Sequence, residues 1–352
     1  MTIKRNLYGL DRGQLEALFQ EIGLQAFRGR QMMKWIYHQG ITDFTAMTDL
    51  PLSARQWLAE SCCLELPQIH ERFLSKDGTV KWLLHVAAGD LIEMVLIPDK
   101  GRNTLCVSSQ VGCVLDCSFC STGKQGFNGN LSAEEIVGQM AIANAYLAAK
   151  SEVVTNVVLM GMGEPLLNSD HVLTAIDCLS RDLGMAMRQI TVSTVGVPNT
   201  LPRLAELALE RLGRAQFTLA VSLHAPDQSL REELIPTARA YPYEQLLEDC
   251  RHYVAISGRR VSFEYILLGN LNDSPRQAQA LAEQVRGFQS HVNLIPYNPI
   301  AEEEFQRPEP ARVDAFAAAL KQRGVAVSVR ASRGLDQNAA CGQLRRQRQG
   351  GR

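Results

Sequence analysis

The sequence has no long apolar run and few aromatic side chains. Aromatic residues make up 6% of its 352 residues, and no stretch of about 18 apolar residues is present that would span a bilayer. The N-terminus, MTIKRNLYGLDRGQ, lacks the apolar stretch of a secretory signal, so we expect a cytoplasmic protein without membrane contact. Because 46% of the residues are hydrophobic and 21% are charged, the composition excludes a chain that is disordered throughout.

Cysteine is well represented, and its placement indicates metal and redox chemistry. The nine cysteines are odd in number and include the adjacent pair Cys62 and Cys63, which is unsuited to a disulfide framework. Three others, Cys113, Cys117 and Cys120, have the spacing C-x3-C-x2-C. Thiolates at this spacing can hold three irons of a [4Fe-4S] cluster and leave the fourth open, whereas four-ligand ferredoxin patterns leave none open. The spacing therefore predicts a cluster whose open iron can bind a chelating ligand.

A zinc site is the alternative for these cysteines. Structural zinc is bound by four ligands, so a fourth would have to come from Cys106 or from a distant histidine. The sequence has no second CxxC pair that would complete such a site. On this interpretation the chain would be a zinc-stabilised RNA-binding protein without catalytic activity.

The apolar periodicity divides the chain into four regions. Residues 1–65 predict a small helical domain, and residues 66–101 predict a short antiparallel β meander. Residues 102–332 alternate seven apolar strand candidates with amphipathic helices, the first of which begins at a capping box of Ser132 and Glu135. This alternation predicts a parallel sheet covered by helices, either open or curled into a partial barrel. Residues 333–352 form a basic tail.

Five polar segments lie at or just after the carboxyl ends of predicted parallel strands. They are the cysteine loop, GMGEP at 161–165, STVG at 193–196, SLH at 222–224 and PYNP at 296–299. Ligands of such folds bind at the carboxyl ends of the strands, which meet at one edge of the sheet. The sequence therefore predicts that these five segments converge on one rim.

The net charge of -1 hides a strongly basic C-terminal region. Residues 321–352 contain eight cationic side chains and one aspartate, a net charge of +7, so the remaining chain is at -8. A second basic run, with Arg28, Arg30, Lys34 and Trp35, lies in the predicted helical domain. Such patches suit a phosphate backbone, although a run of charge can also be only a solvated face.

Six motifs together resemble a known family. They are CVSSQVGCVLDCSFCSTGKQGF, GMGEPLLN, VSTVGV, SLHAP, NLIPYNP and AACGQL, in that order. From the helical domain to Cys341, the chain resembles the RlmN/Cfr family of radical S-adenosylmethionine RNA methyltransferases. SFCSTGKQGF and Pro165 resemble the adenine-C2 branch rather than the Cfr branch, which methylates C8 of adenine. The resemblance implies an α/β fold, a partial (β/α)6 radical SAM barrel with a small N-terminal helical domain and a short antiparallel β extension.

The resemblance also implies the cofactors. Cys113, Cys117 and Cys120 would hold the [4Fe-4S] cluster, and S-adenosylmethionine would bind at its open iron, with two molecules used per turnover. The implied contacts to S-adenosylmethionine are Gly163, Glu164, Ser193, Ser222, Leu223, His224 and Asn298. A glycine lets the backbone approach closely, and a carboxylate accepts a hydrogen bond from an ammonium group. Taken singly, a serine or histidine at a strand end is more often a satisfied structural residue.

The implied reaction takes an unusual route. C2 of adenine is an electron-poor carbon without an in-plane lone pair, so polar methyl transfer has no nucleophile to use. By the resemblance, Cys341 first takes a methyl group as a thiolate, and a 5'-deoxyadenosyl radical then removes hydrogen from that methyl. After the methylene radical adds to C2, Cys106 attacks the sulfur of Cys341 and releases the product as a disulfide forms. Glu93 matches the proposed acceptor of the C2 proton.

These residues also have ordinary structural interpretations. Cys106 lies in a predicted strand and could be a small buried apolar residue, which is the usual situation of free cysteine. Glu93 could be a solvated charge at the edge of the meander. We assign packing roles to the four cysteines that fall within helical patterns, Cys62, Cys63, Cys178 and Cys250.

The partners that the resemblance implies are RNAs and a reductant. The substrate would be 23S ribosomal RNA and also transfer RNA, with an adenine in an exposed loop or extruded from its stack. We expect a monomer that receives electrons from a donor such as flavodoxin. The segment Asp336-Gln337-Asn338 departs from the hydrophobic and acidic residues that family members have before the alanines, so we expect the loop with Cys341 to be less firmly packed.

Overall fold

The computed structural model describes residues 4–38, 41–87, 90–301 and 303–345, which form a helical N-terminal region and a sheet covered by helices. Within these ranges no helix combines the length and the apolar character that crossing a membrane requires. Gly89 of the predicted meander and three arginines of the basic tail, Arg346, Arg348 and Arg352, lie outside the described residues.

The N-terminal region is helical, as its periodicity predicts. It contains β1 (Arg5–Asn6), α1 (Arg12–Glu21), α2 (Phe27–Met33) with a π-helical turn (Lys34–His38), α3 (Leu52–Ser61) and β2 (Cys62–Cys63). A capping box starts α1, because the Asp11 side chain accepts from the backbone N–H of Gln14 and the Gln14 side chain accepts from that of Asp11. The prediction that Cys62 and Cys63 lie in a helix is wrong: α3 ends at Ser61, and these cysteines pair with β1 in a short parallel ladder.

Most of the strands belong to one sheet. They are β3 (Gln68–Leu74), β4 (Val80–His85), β5 (Leu91–Asp99), β6 (Arg102–Cys106), β7 (Gln110–Gly112), β8 (Phe127–Asn130), β9 (Asn156–Leu159), β10 (Ile190–Thr194), β11 (Thr218–Ser222), β12 (Val261–Leu267), β13 (Ser290–Pro296) and β14 (Val327–Val329). The ten-stranded sheet has the order β14-β13-β12-β11-β10-β9-β6-β5-β4-β3, while β7 and β8 form a separate hairpin. All seven predicted strands between 102 and 332 are present and run parallel.

Helices connect these parallel strands. They are α4 (Ala133–Ala148), α5 (Ser169–Asp177), α6 (Leu201–Leu212), α7 (Gln228–Leu234), α8 (Tyr243–Ser257), α9 (Pro275–Gln284) and α10 (Pro310–Gln322). The predicted capping box of Ser132 and Glu135 starts α4. Cys178 follows α5 in a π-helical turn and Cys250 lies in α8, and both are fully buried, which fits their predicted packing roles.

The antiparallel meander continues the parallel sheet. β5 pairs with β6, and Val95 lies opposite Cys106 in this ladder. β5 is therefore an interior strand with a neighbour on each side, and its residues from Leu91 to Leu96 are buried. The alternative that Glu93 is a solvated edge charge is wrong, because its side chain is only 1% exposed.

Residues 330–345, which we call the C-terminal strap, cross from the end of β14 to the cysteine loop. The backbone N–H of Gly334 donates to Asp77 (2.9 Å), and the backbone N–H of Lys76 donates to Asp336 (3.2 Å). Farther along, Ser121 donates its backbone N–H to the carbonyl of Gly342 at 2.9 Å. Asp336 thus anchors the strap ahead of Cys341, while the expected weaker packing relative to other family members stays a prediction.

Candidate active site

The predicted convergence on one rim is confirmed for four of the five polar segments, the exception being PYNP. A single cavity, which we call the cofactor cavity, is lined by side chains and backbone from four of the five polar segments and by the strap. The predicted residues that line it are Cys113, Cys117, Cys120, Gly163, Glu164, Ser193, Ser222, His224 and Cys341. They meet because the segments that carry them follow the carboxyl ends of neighbouring parallel strands.

Two predicted contacts have other positions. The Leu223 side chain is fully buried and its N–H donates to the carbonyl of Glu264 (3.0 Å), so a contact to a cofactor would have to use its own carbonyl oxygen. Asn298 borders a second cavity, where its side-chain amide donates to the carbonyl of Cys341 (3.2 Å).

The cysteine loop is held between the β7–β8 hairpin and α7. Gly112 has a positive φ of 77°, and a Cβ there would lie 1.9 Å from the carbonyl oxygen of Gly126. Only glycine fits this position, so the loop can leave β7 close to the returning strand. On the other side, the backbone N–H of Ser118 donates to the carbonyl of Leu234 at the end of α7 (3.0 Å).

The three thiols of the cysteine loop border one cavity. Three thiolates can each bind a different iron of a cubane cluster, whereas a structural zinc ion would need a fourth protein ligand. Burial raises the pKa of Cys113 to about 12 and also raises that of Cys117, so a bound cation must stabilise the thiolates.

Gly163 and Glu164 place a buried carboxylate against this cavity. Gly163 has a φ of 105°, and a Cβ there would lie 2.5 Å from the Cβ of Gln110, so the close approach requires glycine. The Glu164 carboxylate accepts from the backbone N–H groups of Leu166 and Val195, both at 3.0 Å. Burial raises the pKa of Glu164 to about 7, although these hydrogen bonds oppose the shift. A ligand ammonium group would stabilise its charged form.

His224 is a neutral hydrogen-bond donor. Its Nδ1 accepts from the backbone N–H of Ile266 (3.0 Å), which places the ring proton on Nε2. Burial lowers its pKa to about 3, and the nearby Arg231 contributes to this shift. His224 can therefore donate from Nε2 to a ligand without adding a charge to the cavity.

A second cavity, which we call the arginine cavity, is also bordered by the strap. It is lined by Cys106, Asn298 and Cys341 together with Arg102, Arg330 and Arg333. Cys341, Arg330, Met160 and Ile295 border both cavities and so form a shared wall. Burial and then the neighbouring Cys341 raise the pKa of Cys106 to about 12. The predicted pair of reactive cysteines, Cys106 and Cys341, thus lines one cavity, and Cys341 also lines the cavity that contains the predicted cluster ligands.

The Glu93 side chain contacts the strap but lines neither cavity. Its carboxylate pairs with Lys81 (Nζ–Oε1 3.2 Å) and accepts from the backbone N–H of Arg345 (3.0 Å). Lys81 also donates to the carbonyl of Asn338 (3.5 Å), so the buried pair holds the strap on both sides of Cys341. Burial raises the pKa of Glu93, and Lys81 partly offsets this shift.

Sequence reasoning missed three charged residues at the site. Lys81 partners Glu93, Glu264 borders the cofactor cavity, and Arg330 stands in the shared wall. Glu264 accepts from the side chains of Asn293 (2.8 Å) and Ser262 (3.0 Å). Cys341 and Glu264 raise the pKa of Arg330, which keeps its guanidinium charged. The sequence signal that could have identified them is a single charged residue within or beside an apolar strand, as in VKWLLH and VSFEYIL.

Comparisons with known proteins agree with this arrangement. Residues 5–64 match the family described as "Ribosomal RNA large subunit methyltransferase N-terminal domain", and residues 107–280 match the radical SAM superfamily. The chain is 73% identical over 346 residues to "Probable dual-specificity RNA methyltransferase RlmN" of Synechococcus sp. (strain RCC307), covering 98% of this chain and 99% of the relative. It is 59% identical over 346 residues to the protein with the same description from Parasynechococcus marenigrum (strain WH8102), with coverages of 98% and 99%.

A solved structure shares the whole fold. The radical SAM methyltransferase from Sphaerobacter thermophilus is 41% identical, with a TM-score of 0.89 and coverage of 97% of this chain and 99% of the other. The α/β radical SAM fold with its N-terminal helical domain is thereby confirmed. Identity of this extent over nearly the full length leaves one conclusion. The chain belongs to the RlmN family of radical S-adenosylmethionine methyltransferases.

Proposed function

We propose that this enzyme methylates C2 of adenine in 23S ribosomal RNA and in transfer RNA, with Cys341 as the methyl carrier. The observation that carries the proposal is the position of Cys341, which borders both the cavity with the cluster cysteines and the cavity with Cys106. The RlmN relatives, described as dual-specificity RNA methyltransferases, support RNA as the substrate class.

The residues of the cofactor cavity fit the cofactors of the family, a [4Fe-4S] cluster and S-adenosylmethionine. When bound, these supply a methyl group and a 5'-deoxyadenosyl radical. Cys113, Cys117 and Cys120 would hold the cluster as thiolates. Glu164 would accept from the ligand ammonium, and His224 would donate from Nε2. Ser193, Ser222, the backbone of Leu223 and Asn298 would orient the remaining polar groups, and two S-adenosylmethionine molecules would be used per turnover.

Cys341 and Cys106 would perform the transfer in sequence. Cys341 takes the methyl group as a thiolate, and Arg330 borders the same two cavities as this thiol. After hydrogen is removed from the methyl, the resulting methylene radical on Cys341 adds to C2 of the adenine. The adduct would then lose its C2 proton and one electron, which the cofactors of the cavity would take back. Attack of the Cys106 thiolate on the sulfur of Cys341 would form the S–S bond and break the S–CH2 bond, and the released methylene group would take a proton to become the methyl group. An external electron donor such as flavodoxin would reduce the disulfide and return both thiols.

Glu93 would accept the proton that C2 loses. Burial raises its pKa, which makes the carboxylate a better proton acceptor than an exposed one. In the structure its oxygens face Lys81 and the backbone of Arg345. The strap would therefore have to release Glu93 when the adenine enters.

Nucleoside analysis of RNA from a deletion strain tests the proposal. We expect 2-methyladenosine to disappear from 23S ribosomal RNA and from transfer RNA, and to return when the gene is restored. Loss of 8-methyladenosine instead would identify a Cfr-type enzyme. Loss from ribosomal RNA alone would remove transfer RNA from the proposal, and unchanged nucleosides in both RNAs would refute it.

Metal analysis of the protein tests the rival zinc interpretation. Protein purified without oxygen should be brown and contain about four irons per chain, as a cubane cluster requires. A colourless protein that contains zinc would instead indicate an RNA-binding module without radical chemistry. Gel filtration of the same material tests the expected monomer.

A further inference from the structure

Two guanidinium groups at the entrance of the arginine cavity have no part in the proposed chemistry. Arg102 lies at the start of β6 and its side chain is 69% exposed, and Arg333 lies on the strap and is 36% exposed. Cys106, which lines the same cavity, is only 5% exposed. The exposure therefore decreases from the two arginines to Cys106, which places the arginines at the entrance of the cavity and Cys106 in its interior.

One carboxylate serves both arginines. Asp99 lies 3.0 Å from Nη2 of Arg333 and 4.0 Å from Nη2 of Arg102. Exposed ion pairs of this kind contribute little to stability, and the longer one is at the limit of a contact. The entrance thus carries an excess of positive charge, to which Arg330 adds farther inside. Another anion can therefore displace Asp99 from the two arginines at little cost in stability.

The guanidinium group is suited to phosphate. Its planar fork of donors matches two phosphate oxygens at once, which an ammonium group does not. An adenine placed between Cys106 and Cys341 is joined to ribose and to phosphodiester groups on either side. These groups are too polar and too bulky for the interior, so they must lie at the entrance.

We propose that Arg102 and Arg333 bind the phosphodiester groups that flank the target adenosine, and that Asp99 holds the two arginines while RNA is absent. This inference rests on the proposed function in one respect, since it takes the ligand to be a nucleotide within RNA. The site would recognise the backbone and not the base, so its effect on affinity is the same for every RNA sequence.

The position of the strap does not depend on this ion pair alone. Gly334, next to Arg333, donates its backbone N–H to Asp77 (2.9 Å), and Ser332 donates its hydroxyl to Asn298 (2.7 Å). Removing the charge of Arg333 therefore leaves the strap anchored on both sides of the substitution. Arg102 is the more exposed of the pair, and its replacement affects the fold least.

The test measures RNA binding by the anaerobic holoenzyme as a function of salt. The variants are Arg102→Gln and Arg333→Gln, and the probe is a short hairpin RNA with adenosines in its loop, followed by fluorescence anisotropy. Each variant should bind roughly fivefold more weakly at low salt, and the slope of log K against log salt should fall by about 0.7–0.9. The matched control is Arg203→Gln on α6, an exposed arginine paired with Glu206 (3.3 Å) and Glu210 (3.6 Å), and it should bind as the wild type does.

Asp99→Asn separates phosphate binding from a structural role. If Asp99 competes with phosphate, its neutral variant should bind RNA roughly twofold more tightly, opposite in sign to the arginine variants. If the ion pair only fastens the strap, all three variants should weaken binding and lower the melting temperature together. Iron content and melting temperature confirm that each variant is folded.

The failure of this inference differs from that of the proposed function. Arginine variants with wild-type affinity and salt slope would overturn the phosphate site, even if the wild type produces 2-methyladenosine. Weakened binding by Asp99→Asn would overturn it equally. If the wild type produces no methylated adenosine but the arginine variants lose affinity as expected, the phosphate site stands and the proposed reaction fails.

Discussion

The cofactor cavity and the arginine cavity share a wall but differ in charge. The first is bordered by three thiols and by the carboxyl groups of Glu164 and Glu264, whereas Arg102 and Arg333 border only the second. S-adenosylmethionine carries a sulfonium and an ammonium group, while RNA carries phosphate anions. On the proposed function, the charge difference directs the two reactants to opposite sides of Cys341, which borders both spaces.

The largest expected effect concerns the thiols of the cofactor cavity. Cys117→Ala should lose iron and fail to form deoxyadenosine, because a cluster with only two thiolate ligands is not retained. Cys106→Ala, which alters a thiol of the other cavity, should keep its iron. Iron content and visible absorption of protein purified without oxygen provide the measurement. If Cys106→Ala also loses iron, Cys106 is a metal ligand and the two cavities are not chemically separate.

The second prediction compares the two cysteines of the arginine cavity. Cys341→Ala should abolish methyl transfer with the cluster intact, because the methyl carrier is gone. Cys106→Ala should still allow methylation of Cys341 and should trap protein covalently attached to RNA, because no thiol releases it. Denaturing electrophoresis and mass spectrometry of Cys341 distinguish the two variants. Free methylated RNA at the normal rate from Cys106→Ala would refute its resolving role.

A third prediction concerns the charge of the cofactor cavity. Glu164→Gln should weaken S-adenosylmethionine binding by roughly 10- to 100-fold, since a hydrogen bond to a charged group contributes about 1.5–3 kcal/mol. Burial raises the pKa of Glu164 from 4.5 to about 7, so the affinity of the wild type should fall as the pH decreases through about 7. The variant should lack this pH dependence.

Equilibrium dialysis with the cluster-loaded protein provides the measurement for Glu164→Gln. The control is Glu206→Gln, an exposed glutamate of α6 that is paired with Arg203 and lines neither cavity. A Glu164→Gln variant with wild-type affinity at pH 8 would show that this carboxylate does not contact the ligand.

The smallest effect is expected for the contacts that hold the strap. Lys81→Met should reduce the free energy of unfolding by about 1–2 kcal/mol, because Glu93 loses its buried partner but keeps the hydrogen bond from Arg345. Burial raises the pKa of Glu93 above its ordinary value of 4.5. Ionisation of this carboxyl group in the folded protein therefore lowers the free energy of unfolding as the pH rises above about 4.5. The loss should therefore increase with pH.

The double variant Lys81→Met/Glu93→Gln tests whether the loss of stability comes from the unpaired charge of Glu93. Because the glutamine side chain has no charge to bury, the double variant should recover most of the stability and show no such pH dependence. Chemical denaturation at several pH values provides the measurement. Equal losses in Lys81→Met and in the double variant would show that the ion pair does not anchor the strap.

The sequence predicted the rim because strand order determines it. The motifs around Cys113, Gly163, Ser193 and His224 each follow a parallel strand, and parallel strands bring their carboxyl ends together whatever the details of packing. The register that places Val95 opposite Cys106 is different, since it depends on how the meander joins the sheet. This junction is also what makes Glu93 a buried residue.

Partners from distant parts of the chain could not be predicted from spacing. Lys81 meets Glu93 diagonally across two strands, where Leu83 is the direct partner of Glu93. Arg330 acquires its position only when the strap folds back between the cavities. Asp336 likewise anchors the strap through a turn far away in the sequence, where it accepts from the backbone N–H of Lys76.

The central claim is that Cys341 carries the methyl group from one cavity to the other. The direct measurement first methylates the protein with deuterium-labelled S-adenosylmethionine, removes the free label, and then adds RNA, reductant and unlabelled S-adenosylmethionine. The account predicts that mass spectrometry finds deuterium in the methyl group of the first 2-methyladenosine formed, together with loss of the label from Cys341. A first product with an unlabelled methyl group, while the label stays on Cys341, would contradict it.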